Sequence, residues 1–234
     1  RSYTLERSLV VGGRSREKLS SAKLYALLTG AQCQASLDWV IEQSAMGGVD
    51  VIQLREKTLC DRELLVRAQE VRRWTRKAGV LFIVNDRPDI ARLAEADGVH
   101  LGQDDMTVRD ARKVVGADAL IGVSTHTLEQ VRQAVLDGAN YIGIGPVFPS
   151  RTKEFGEFPG LDFVRAAVAE TSLPAFALGG IEPSNIDQVV QVGVTRVAVS
   201  SVIARSEDPE QVCRLLRSRL SNSTALGEGK MGGG

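Results

Sequence analysis

Gly79-Val80-Leu81-Phe82-Ile83-Val84-Asn85-Asp86-Arg87-Pro88 carries the signals that decide the fold. Its apolar run, Val80–Val84, is continuous rather than alternating, as expected of a parallel strand covered on both faces by helices. Gly79 ends what comes before, and Pro88 suits the first turn of a helix after the polar pair Asn85-Asp86. Upstream, Asp61 to Lys77 has helical spacing, with Leu64, Leu65, Ala68 and Val71 on one side and Arg62, Arg67, Arg72 and Arg73 elsewhere. The reading is therefore helix, glycine, strand, polar cluster, helix.

The same unit recurs in both directions. Strand-like runs are read at Leu24–Leu28, Val51–Leu54, Val80–Val84, Gly98–Leu101, Leu120–Val123, Tyr141–Ile144, Ala175–Leu178 and Arg196–Val199. Gly47, Gly116, Gly138 and Gly193 close further helices, while Glu182-Pro183 and Asp208-Pro209 are expected to open others. Eight strand–helix units predict an α/β chain folded as a compact (β/α)8 TIM barrel. An open doubly wound sheet lacks its signature: Gly143-Ile144-Gly145 is followed by Pro146-Val147-Phe148, with no third glycine and no helix start. The expected organisation is a short N-terminal arm or capping helix over 1–22, one barrel domain over 23–220, and a disordered tail over 221–234. The first residue, Arg1, is compatible with an expressed piece of a longer protein.

Composition narrows the function classes. With 234 residues and 43% hydrophobic content the chain can bury one sizeable core. Lys+Arg 29 against Asp+Glu 29 leaves no basic excess of the kind a general nucleic-acid binder carries. No apolar run approaches the length of a membrane span, and Cys33, Cys60 and Cys213 are scattered, which favours reduced thiols and a cytoplasmic location. The partners expected are small molecules, with neither nucleic acid nor membrane; a homo-oligomer is compatible with the sequence.

In such a barrel the strand ends converge on one mouth. Asp86 and Asp105 follow the third and fourth strands, and two carboxylates brought together there suit Mg2+, which takes one or two carboxylates plus substrate phosphate oxygens. Taken singly, each aspartate has a second reading as a helix cap, Asp86 before Pro88 and Asp104 or Asp105 before Val108. Arg55 and Lys57 alternate with Glu56 beyond the second strand and would meet a diphosphate, or else form a rim salt bridge with Glu56 or Asp86. Asn85 offers an amide to a phosphate or substrate oxygen, with a second reading as an ordinary turn residue. Gly145-Pro146-Val147-Phe148-Pro149-Ser150-Arg151-Thr152-Lys153 reads as a phosphate-grasping lid or a plain surface loop. Gly179-Gly180-Ile181 and Ser200-Ser201, after the seventh and eighth strands, occupy the position where barrels of many kinds bind phosphate. His100, inside a strand, reads as a satisfied core residue, and His126 as a ligand contact or a helix-start residue.

In their order these clusters resemble the thiamine phosphate synthase family. The resemblance runs from about Lys23 to Leu220 and rests on Gln53-Leu54-Arg55-Glu56-Lys57, Asn85-Asp86, His100-Leu101-Gly102-Gln103-Asp104-Asp105, Gly122-Val123-Ser124-Thr125-His126, Gly145-Pro146 through Thr152-Lys153, and Gly179-Gly180-Ile181. It implies a transferase joining hydroxymethylpyrimidine diphosphate to a thiazole phosphate, with release of diphosphate, formation of thiamine monophosphate, a need for Mg2+ and a dissociative mechanism. It further implies Asp86 and Asp105 as metal ligands and Arg55, Lys57, Ser124 and Lys153 as catalytic residues. By the same motif positions Gln53 would contact the pyrimidine, Asn85 and Ser124 the pyrimidine diphosphate, and Ser150, Thr152, Gly180, Ser200 and Ser201 the thiazole phosphate. Ser150 stands where the family usually has threonine, and Ser200 where it usually has an apolar residue. Two alternatives stay open: a thiazole tautomerase on the same barrel, with His126 as acid/base, and a non-catalytic sensor of a phosphorylated metabolite.

Overall fold

The computed structural model of the chain describes residues 13–149 and 159–227, with side chains as far as Ser221. Eight parallel strands close into a barrel in sequence order: β1 (Leu24–Leu28), β2 (Val51–Leu54), β3 (Leu81–Asn85), β4 (Gly98–Leu101), β5 (Leu120–Thr125), β6 (Tyr141–Ile144), β7 (Ala175–Leu178) and β8 (Val197–Val199). The helices are α1 (13–21), α2 (Leu37–Met46), α3 (Asp61–Ala78), α4 (Pro88–Leu93), α5 (Val108–Val115), α6 (Leu128–Leu136), α7 (Gly160–Glu170), α8 (Ile186–Gln191), α9 (Ser201–Ala204) and α10 (Pro209–Gly227). The predicted (β/α)8 barrel is the observed one. No helix among the described residues is long and apolar enough to cross a membrane.

Each strand sends alternate residues to two cores. Outward residues such as Ile52, Leu54, Phe82, Val84, Val99 and Ile121 pack against the buried faces of the surrounding helices. In α3 that face is Leu64, Ala68, Val71 and Thr75, three or four residues apart. The helix starts where Glu63 accepts the Cys60 N–H at 3.2 Å and stops where Gly79 turns left-handed at φ 73°. Inward residues form a separate core of Tyr25, Val51, Leu81, Ile83, Leu120, Tyr141, Phe176 and Ala198.

That inner core continues into α1, which supplies Leu19, with Ala22 just beyond it. Polar bonds pin α1 to segments that precede strands: Ser15 Oγ donates to Asp97 at 3.1 Å, Arg16 to the Ala117 carbonyl at 3.0 Å and Lys18 to the Gly79 carbonyl at 2.8 Å. The helix therefore lies across the N-terminal end of the barrel, opposite the mouth.

Local boundaries differ from the sequence reading in a few places. β3 is shifted one residue toward Asn85 because the Leu81 N–H pairs with Asp50 O, leaving Val80 outside the ladder. Glu182-Pro183 does not open α8: Asn185 Oδ1 accepts the Glu182 N–H at 2.9 Å and closes a turn, so the helix begins at Ile186. The backbone of α10 stays helical through Gly227, past the expected boundary at Leu220. Residues 1–12 and 228–234 lie outside the described residues.

Candidate active site at the barrel mouth

Asp86 and Asp105 come together. Their side chains lie close enough to act on one another's protonation, and Lys57 Nζ bonds to Asp86 Oδ2. The two carboxyls move in opposite directions. Burial works to raise Asp86, but the bonds from Lys57 and Asp105 and the charges of Lys57 and Arg55 outweigh it and hold this carboxyl below its ordinary range. Burial, then the bond to Asp86, raises Asp105, against the Gly102 N–H that Oδ2 accepts at 2.7 Å. Asp105 is thus the member of the pair that takes up a proton first as pH falls.

Neither aspartate caps a helix. The N-cap of α4 is Arg87, with no side-chain capping bond, and that of α5 is Thr107, whose Oγ1 accepts the Asp110 N–H at 3.2 Å. Asp86 instead adopts a left-handed backbone, φ 62°, rare for a residue with a side chain. Its N–H donates to His100 O at 2.8 Å, the last rung between β3 and β4. The strained turn aims the carboxylate from the end of β3 toward Lys57 and Asp105 instead of into its own helix.

Glu56, the other candidate partner for the cations, is occupied elsewhere. It accepts the Gly30 N–H at 2.8 Å and pairs with Arg67 at 3.6 Å. Arg55 lies close enough to influence Asp86, and Thr29 Oγ1 anchors its carbonyl at 2.6 Å. Asn85 ends β3 beside Asp86. The site thus collects two carboxylates with two cations around them. Among the described residues no cluster of three or more His, Cys, Asp or Glu side chains is gathered as for a metal. An all-oxygen pair of carboxylates is nonetheless a donor set that fits Mg2+, whose remaining positions are commonly water and phosphate oxygens.

Deeper in the mouth runs a chain of buried polar groups. Ser124 Oγ meets His100 Nε2 at 2.9 Å, and His100 Nδ1 meets the Tyr141 hydroxyl at 3.2 Å. The Tyr141 and Tyr25 hydroxyls are 3.0 Å apart, and Gln53 Nε2 donates to Tyr25 at 2.7 Å. Gln53 Oε1 is buried with no partner among the described residues. Gln103 Nε2 ties the β4 loop to β5 through the Ser124 carbonyl at 2.6 Å. His126 donates through Nδ1 to the Gly145 carbonyl at 2.6 Å, which fixes its ring at the end of β6.

The β7 and β8 ends lie on the other side of the ring of strands. Gly179 and Gly180 have φ 101° and 64°, and a Cβ on Gly179 would sit 2.6 Å from Pro146 Cβ. Glycine is required there because the Gly145–Pro149 strand-end segment lies directly on it, with the Phe148 N–H donating to Gly179 O at 3.1 Å. Ser200 is the N-cap of α9 but makes no side-chain capping bond, and Ser201 is its first residue. No contact joins Gly180, Ser200 or Ser201 directly to the aspartate pair among the described bonds. Ser150, Arg151, Thr152 and Lys153 lie outside the described residues.

Tyr25 and Tyr141 were not singled out from sequence, although a signal existed. Both occupy inward positions of otherwise apolar strands, where a hydroxyl must find a partner. His100 is satisfied in the core, as expected, and through Ser124 it also belongs to the mouth.

Comparison with known proteins agrees with this geometry. The family model described as thiamine monophosphate synthase matches residues 24–203. The chain is 43% identical over 215 residues to a thiamine-phosphate synthase of Rhodopirellula baltica, a match covering 88% of the chain and 56% of that protein. It is 40% identical over 196 residues to the thiamine-phosphate synthase of Halalkalibacterium halodurans, covering 82% of the chain and 92% of that protein. The chain thus spans little more than half of one relative and nearly all of the other. Among solved structures, thiamine phosphate pyrophosphorylase from Pyrococcus furiosus superposes with a TM-score of 0.78 at 33% identity, covering 89% of this chain and 98% of that one. With the match spanning β1 to α9 and every described motif at its strand end, the chain belongs to the thiamine monophosphate synthase family.

Proposed function

We propose that the chain condenses hydroxymethylpyrimidine diphosphate with the thiazole phosphate to give thiamine monophosphate and diphosphate. The observation that carries this reading is the meeting of Lys57, Asp86 and Asp105 at one barrel mouth in a chain of this family. In a dissociative reaction the carbon–oxygen bond to the diphosphate breaks first. The negative charge that accumulates on the departing oxygens must be stabilised by groups already in place.

Arg55 and Lys57 supply fixed positive charge on the β2 side, and Lys153 is proposed to supply it from the loop after β6. Asp86 and Asp105 would hold Mg2+, which as a Lewis acid neutralises phosphate charge and lowers the barrier to departure. Asn85 and Ser124 would orient the pyrimidine diphosphate, and Gln53 its ring. The backbone at Gly180, Ser200 and Ser201, with Ser150 and Thr152, would hold the thiazole phosphate so that the ring nitrogen faces the pyrimidine methylene cation. A neutral ring nitrogen needs no general base, and none is assigned.

The test is to incubate the purified chain with both substrates and Mg2+ and follow thiamine monophosphate and diphosphate together. Equal release of the two supports the proposal. Isomerisation of the thiazole phosphate alone identifies a tautomerase, and binding without turnover identifies a sensor.

A further inference from the structure

We propose that Tyr25 and Tyr141 are positioning residues for the pyrimidine: the buried chain Gln53–Tyr25–Tyr141–His100–Ser124 is a one-way proton-donor relay that leaves Gln53 an acceptor and Ser124 a donor for the ligand. The inference rests on the substrate reading above and adds to it the residues that set how the ring is recognised.

Its physical basis is that each hydroxyl, and a neutral imidazole, has one proton to give. In a linear chain of such groups the direction of the first bond fixes all the others. Gln53 Nε2 donates to the Tyr25 hydroxyl, whose own buried proton then has the Tyr141 oxygen as its acceptor among the described groups. Tyr141, now an acceptor from Tyr25, gives its proton to His100 Nδ1. With Nδ1 accepting, the neutral ring carries its proton on Nε2 and donates to Ser124 Oγ. The Ser124 proton is then free to turn toward the mouth.

At the other end the same polarity leaves Gln53 Oε1 as a buried acceptor without a partner among the described residues. Gln53 is 1% exposed, so water does not substitute freely, and an orphaned carbonyl in such a place costs stability unless a ligand completes it. Reversing the chain would turn Gln53 into a donor and Ser124 into an acceptor together. The two ends are always of opposite sense. A ligand that satisfies both must present a donor and an acceptor, as an aminopyrimidine does with its amino group and ring nitrogens.

The surroundings keep the relay intact. Burial raises both phenols well above their ordinary range, so neither loses its proton. Tyr25 stands edge-on to Phe176 and tilted against Tyr141, which fixes ring orientation apart from the hydroxyl bonds. Removing one oxygen therefore breaks the relay without emptying the core.

The experiment has two arms. In the first, Tyr25→Phe and Tyr141→Phe are compared with the parent chain for kcat and for KM toward each substrate. The expected result is an increase of about tenfold in KM for the pyrimidine diphosphate, the effect of about one net hydrogen bond, with KM for the thiazole phosphate within about twofold, since its site lies at other strands. An unchanged pyrimidine KM in both variants overturns the relay. In the second arm, nitrogen-15 spectra of the parent chain assign the His100 tautomer, which is measurable whether or not the chain turns over. Protonation at Nε2 supports the proposed direction, and protonation at Nδ1 overturns it. A parent chain without synthase activity but with the Nε2–H tautomer would refute the substrate reading and leave the relay standing.

Discussion

The side chain of Asp105 turns back onto the backbone N–H of Gly102, three residues earlier, at 2.7 Å. This bond presents the carboxyl to Asp86 and does not use it on helix α5. Asp105→Asn keeps an oxygen for Gly102 and removes the charge. Turnover is expected to fall by about 10²–10³, as when a major electrostatic stabiliser is lost, while the melting temperature stays near that of the parent. Steady-state diphosphate release and thermal melts separate the two effects.

Asp86 presents a different balance, because its left-handed backbone costs roughly 1 kcal/mol or more for a residue bearing a Cβ. Asp86→Gly and Asp86→Ala should lose turnover alike, again by about 10²–10³. The glycine variant should nevertheless be about 1 kcal/mol more stable than the alanine variant. Urea denaturation of the pair checks the second statement, and retained turnover in Asp86→Ala would defeat the metal assignment.

Lys57 is half exposed, so its pair with Asp86 is screened by water. Lys57→Met should change stability by only about 0–1 kcal/mol yet depress kcat, if its charge stabilises the leaving group as proposed. A loss of stability comparable with the loss of activity would make this lysine structural.

Gly122 lies beneath the ring of Tyr141, and an added Cβ would stand 2.1 Å from its Cζ. That ring is 1% exposed and already packed against Tyr25, His100 and Phe176. Gly122→Ala is expected to cost about 1–3 kcal/mol or somewhat more by overpacking, measured as a lower urea midpoint with an unchanged slope.

The buried phenols predict an alkaline limit. Burial raises both in the folded chain, so the folded state holds their protons more tightly than the unfolded state does. Their contribution is complete below the unfolded phenol range near pH 10 and declines as pH rises above it. Urea titrations from about pH 8 to 11 should show stability falling in the upper part of that range, and falling less steeply in Tyr25→Phe. Parallel curves for the two proteins would contradict this.

Much of the barrel was legible because continuous apolar runs and their terminating glycines are local signals. The strand read at Val80–Val84 was found within one residue, at Leu81–Asn85, and Gly79 ends the helix before it, without any knowledge of what they touch. The aspartates were ambiguous for the opposite reason. Whether Asp105 caps α5 or faces Asp86 depends on Thr107 taking the cap and on Gly102 bending the loop. The polar relay was harder still, since Tyr25 and Tyr141 are 116 residues apart and meet only through the register of a closed sheet. Sequence pattern identifies a tyrosine facing inward; it does not identify the hydroxyl opposite.

Helix α1 gives the molecule a stopper. With Leu19 seated against the inward layer and Lys18, Arg16 and Ser15 bolted to the segments leading into three strands, the lower end of the packed cylinder is covered. A ligand held beside Lys57 therefore meets solvent at the opposite end of the cylinder from this helix.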